Sequence, residues 1–118
     1  MSDTPWLTAT VGIRPTASQE EVAAKLSDVF GFPLHLERTG RYEEFPAYYA
    51  EALGLTVALL GPPAPEYDIR DNPGQDFVLQ IDSCVRPLGR TRDVDISMHI
   101  AALIRQGSNL DVFEPVEE

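Results

Sequence analysis

Residues 55–60, LTVALL, form a nearly continuous apolar run of strand length, and GPPAP stops it at once. A strand wetted on one face alternates apolar and polar side chains, whereas a run without alternation needs cover on both faces. The segment therefore predicts a central strand of a layered domain. The chain has 118 residues, the size of one domain with one real core, and no repeat or linker divides it.

The flanking segments supply the layers. LTATVGI (7–13) places Leu7, Ala9, Val11 and Ile13 on one face of a half-buried strand. Ser18-Gln-Glu-Glu21 is a capping-box pattern, Val22, Leu26, Val29 and Phe30 recur at helical spacing, and Gly31 suits the left-handed residue after a helix, so a helix is expected over 18–30. LHLER reads as a short strand with Leu34 and Leu36 inward. The stretch RYEEFPAYYAEALG fits a short helix, Pro46–Leu53 ended by Gly54, or an extended strand with a bulge; the helix is the preferred reading. FVLQID alternates as a strand, and CVRPLGRTR reads as irregular and locally basic. Asp95 is a candidate N-cap for a helix over 96–106, with an apolar stripe of Ile96, Ile100, Leu103 and Ile104. A last short strand is expected over 109–113, with frayed ends at 1–5 and 114–118.

The order predicts an α+β fold: two helices on one face of a mainly antiparallel sheet of four to five strands. The economical layout is ferredoxin-like, a split βαβ with an insertion at 42–53. Leu7, Val11, Val22, Leu26, Phe30, Leu36, Leu55, Val57, Leu59, Phe77, Leu79, Ile81, Ile100, Leu103 and Ile104 are expected in the core.

Nineteen acidic residues stand against nine basic ones, for a net charge of −10. Such a surface repels phosphate backbones and anionic lipid and steers toward a basic partner, so neither nucleic acid nor membrane is expected to bind. No apolar run approaches the roughly 18–20 residues that span a bilayer. The N-terminus, MSDTPW, lacks a signal-peptide pattern, and Cys84 has no intrachain partner. A cytoplasmic protein, monomeric or weakly dimeric, is the expectation.

Few residues suggest reaction chemistry. No glycine pattern for a phosphate loop occurs. Cys84, His35 and His99 lie apart without zinc-ligand spacing; the histidines read as surface or core-edge residues and Cys84 as a buried, inert thiol. No catalytic residue, metal or cofactor is expected.

Residues 66–76, EYDIRDNPGQD, hold four carboxylates and one arginine around an Asn-Pro-Gly bend. The segment reads either as a solvated loop or as a docking surface in which Glu66, Asp68, Asp71 and Asp76 pair with basic groups and Tyr67 anchors. It lacks the spacing of a calcium loop. Tyr42, Glu43 and Glu44, with Tyr48, Tyr49 and Glu51 beyond them, repeat the same mixture.

YEEFPAYYAEALGLTVALLG, followed by a Pro-rich break, the acid-rich YDIRD turn and a strand, resembles bacterial immunity proteins of toxin–immunity systems over 42–113. The resemblance implies a non-catalytic inhibitor that masks the active site or substrate surface of a cognate toxin, often a basic nuclease. Two other classes stay open: a ferredoxin-like ligand-binding or regulatory domain, whose Arg86, Arg90 and Arg92 hold an anion, and a small enzyme using clustered carboxylates.

Overall fold

The computed structural model describes residues 4–14, 18–36, 47–61, 76–85 and 89–113. The elements run β1 (Thr4–Ile13), α1 (Gln19–Phe30), β2 (His35–Leu36), β3 (Ala47–Ala52), β4 (Leu55–Leu60), β5 (Phe77–Ser83), β6 (Thr91–Asp95), α2 (Ser97–Gly107) and β7 (Val112–Phe113). The strands make one seven-stranded sheet in the order β2-β3-β4-β5-β1-β6, with β7 also on β1. Every pairing is antiparallel except β1 with β6. The fold is α+β, as the sequence predicts.

Helix α1 forms where its caps are. Ser18 Oγ accepts the Glu21 amide at 3.2 Å. Gly31 takes φ 82° and donates its amide to the Ser27 carbonyl, closing the last turn. Val22, Ala23 and Leu26 of α1 share one core with Ile100, Ala101 and Ile104 of α2 and with the inward residues of β1, β4 and β5. Both helices thus cover the same face of the sheet. They approach closely at Gly107, where an added Cβ would lie 3.1 Å from Val29.

The central strand behaves as its sequence requires. Val57 and Leu59 enter the helix-side core, while Ala58 and Leu60 join Ala47 in a second buried cluster. The alternation of β5 also holds, with Phe77, Leu79 and Ile81 buried and Gln80 and Asp82 exposed.

Several expectations are corrected. Residues 47–52 are a strand, not the helix Pro46–Leu53. Gly54 does adopt the left-handed conformation, but with φ 75° beside Leu53 at φ 53° it makes a two-residue hairpin turn between Ala52 and Leu55. A helix end and a type I′ turn both ask for glycine at positive φ, so the local signal is shared. Thr91 and Arg92, the end of the CVRPLGRTR segment expected to be irregular, open β6, an edge strand without apolar alternation whose pairing with β1 makes it a strand. These two strands, β3 and β6, bring the sheet from the expected four to five strands to seven, and β7 falls within the strand expected over 109–113. Strands β2 to β5 follow one another as an antiparallel meander closed by β1, and ferredoxin-like connectivity is not shown. Thr4 and Pro5, expected to fray, pair with Thr91 and Arg92.

Leu36 and Leu103, placed inward on the sequence, are exposed. Leu36 sits on an edge strand with one neighbour, β3. In α2 the line Ser97, Ala101, Ile104 faces the sheet, because Ser97 Oγ accepts the Thr10 amide at 2.9 Å. That bond occupies the gap on β1 between β6, whose pairing ends at Thr8, and β7, whose pairing starts at Gly12. The resulting rotation turns Leu103 outward.

Candidate functional site

The helices leave the opposite sheet face to other neighbours, and strand register decides what stands there. Glu51 on β3 pairs with Thr56 on β4, Thr56 with Asp82 on β5, Asp82 with Thr8 on β1, and Thr8 with Asp95 on β6. Residues directly opposite across a ladder share a face, so acid, threonine, acid, threonine and acid form one row across five strands. At about 4.8 Å per strand the row spans about 19 Å, with successive carboxylates about 10 Å apart. Asp93 lies beside it, paired with the half-buried Trp6. Glu51, Asp82, Asp93 and Asp95 are exposed. Among the described strand residues on this face, every formal charge is negative; Arg92 falls at the opposite parity of β6.

Neighbours hold the row in place. Thr8 Oγ1 donates to Asp82 Oδ1 at 3.2 Å, and Thr56 Oγ1 donates to the Asp82 carbonyl at 3.3 Å. The Tyr49 hydroxyl donates to Glu51 Oε2 at 3.3 Å, and Cys84 Sγ to Glu51 Oε1 at 3.5 Å. Asp95 Oδ1 accepts both the amide and the hydroxyl of Ser97. Asp95 therefore caps α2 from one residue before the Ile96 boundary. The spacing sets the electrostatics: about 10 Å is near the Debye length in 0.1 M salt, so the carboxylates repel one another weakly while a cation approaching the row is attracted by all of them.

Two groups on or beside this row have shifted acidities. The Ser97 hydroxyl and then its amide hold Asp95 below the ordinary carboxylate value. Stability contributed by Asp95 is thus present above the ordinary carboxylate value of the unfolded chain and is lost as pH falls through the lower folded value. Asp95→Ala is expected to cost about 1 kcal/mol near neutral pH, as loss of a helix cap does. In urea melts across pH, the gap between variant and parent should close in acid; a constant gap would remove Asp95 from the cap. Local desolvation, followed by the Glu51 hydrogen bond and charge, pushes the Cys84 thiol up. Cys84 is exposed rather than buried, because it follows β5 beside Glu51, and its raised pKa favours the protonated thiol, a poor nucleophile.

Of the sequence-proposed partner residues, Asp76 is described. It lies 3.5 Å from Arg14, whose guanidinium carbon stands 4.0 Å over the Phe113 ring, at the end of the sheet away from the acidic row. Glu66, Tyr67, Asp68, Asp71, Tyr42, Glu43, Glu44 and Arg86 lie outside the described residues. His35, His99, Arg90 and Arg92 are exposed, and no metal-holding group of His, Cys, Asp and Glu occurs among the described residues. No described helix is long and apolar enough to cross a membrane.

Glu51 and Asp82 were visible in the sequence as an acid of the tyrosine-rich stretch and an outward residue of FVLQID. Their alignment with Asp95 was not, since it depends on register between distant segments. Two helices on one face of a seven-stranded, mostly antiparallel sheet, with an acid row on the other, define an α+β domain presenting a charged sheet surface. No protein-family model, curated protein or solved structure matches the chain.

Proposed function

We propose that this protein is a non-catalytic binder of a basic protein partner, of the immunity type, and that the helix-free sheet face receives that partner. The row Glu51–Thr56–Asp82–Thr8–Asp95 is the observation that carries the reading. A rigid sheet presents its carboxylates at fixed spacing, which favours complementary cationic side chains at little ordering cost. The net charge of −10 adds long-range steering toward the same class of partner. A toxin whose catalytic or substrate surface is basic has the complementary chemistry. The negative charge of the sequence-proposed segment around Tyr67 and Asp68 favours the same class of partner.

The test measures association and dissociation with the protein encoded by the adjacent reading frame at several salt concentrations. Glu51→Gln with Asp82→Asn should slow association about tenfold at low salt and flatten its salt dependence. Neither residue caps a helix, so folding should be preserved. An unchanged rate and salt slope would remove the row from the interface.

A further inference from the structure

Leu53 is 96% exposed at the tip of the β3–β4 hairpin. Its φ of 53° lies in the left-handed region, which a branched side chain occupies at a cost and where type I′ turns take Asn, Asp or Gly. Folding is therefore served neither by the side chain nor by the backbone of this residue. Single exposed leucines are common on proteins, but this one has company. Val85, 44% exposed, lies against Gly54: a Cβ there would stand 2.5 Å from Val85 Cγ1. The Cys84 amide also donates to the Gly54 carbonyl at 2.8 Å, fastening the hairpin tip to the end of β5. The tip and Val85 thus form an apolar projection at the end of the sheet nearest Glu51 and Asp82. Acids adjoin it on both strands: Glu51 precedes Leu53 by two residues, and Asp82 precedes Cys84 by two.

We propose that Leu53, supported by Val85, is the apolar anchor of the partner interface, entering a socket on a basic protein whose Arg or Lys residues flank the socket and meet Glu51 and Asp82. This rests on the proposed function and specifies the occupant by charge complementarity: an apolar socket with a cationic rim. An anchor held on a two-residue turn loses little freedom on binding, and burial of its side chain acts mainly on dissociation.

Two probes separate the anchor from the charge. One is a synthetic helical peptide with a leucine stripe flanked by arginines on the same face; the second replaces its leucines by serine. Both should bind the wild-type protein in low salt, with the leucine peptide binding about tenfold more tightly, an increment in the range of a buried leucine side chain. Leu53→Asn should abolish that difference and leave binding of the serine peptide unchanged. Amide resonances of Leu53, Gly54 and Val85 should shift with the leucine peptide. The same substitution should raise the melting temperature of the free protein by a few degrees, since asparagine suits the turn. Equal affinity of the two peptides for wild type, or an undiminished preference in Leu53→Asn, would overturn the anchor and leave the charge reading standing. Failure of both peptides to bind would overturn both. A lowered melting temperature would make Leu53 a folding residue and overturn the anchor.

Discussion

Leu59→Ala is expected to lower unfolding free energy by about 2–5 kcal/mol, the range for truncating a buried leucine that leaves a cavity. Leu59 has 0% relative exposure and is among the largest fully buried side chains. It is the penultimate residue of β4, opposite Tyr48 on one side and Leu79 on the other. Its carbonyl accepts from Gln19 Nε2 at 3.1 Å, tying the strand to the start of α1. With strands on both sides and helices above, little can collapse into the space. Small domains have a total stability of roughly 5–15 kcal/mol, so this loss consumes a large part of it. Ser18→Ala, which removes only the cap of α1, should cost about 1 kcal/mol. Urea melts of the two variants should differ in midpoint with similar slopes. Equal effects would contradict either the burial of Leu59 or the cap at Ser18.

Gly12→Ala should cost about 1–3 kcal/mol, although alanine is the smallest addition possible. A Cβ at Gly12 would lie 2.4 to 2.8 Å from three ring carbons of Phe113. The ring must move. In moving it leaves the Arg14 guanidinium stacked on it and strains the short pairing of β7 with β1. Phe113→Leu should cost less by itself and should recover much of the loss when combined with Gly12→Ala, because the smaller side chain vacates the space. A double-mutant cycle measures this coupling, and strictly additive losses would mean that the ring does not pack over Gly12.

The sequence was most informative where one segment carries both a pattern and its boundary. Helix α1 has its apolar spacing, Ser18 before it and Gly31 after it. β4 and β5 have runs of strand length, one apolar throughout and one alternating. Those signals are local, so they survive without knowledge of neighbours. At 47–54 the local signal served two structures equally. β6 has no apolar period to read, because an edge strand with exposed sides needs none.

By itself, then, the sequence determined the α+β class, the inward residues of the central strands, the caps of α1 and a net charge of −10. Tertiary structure decided that 47–52 is a strand, that Leu103 turns outward and that Asp76 pairs with Arg14. It also decided that Glu51, Asp82 and Asp95, carried on three separate strands, stand in one row. The physical reason is register: a strand displaced by one residue exchanges its two faces, so an acid's place beside another depends on hydrogen bonds between segments remote in the chain.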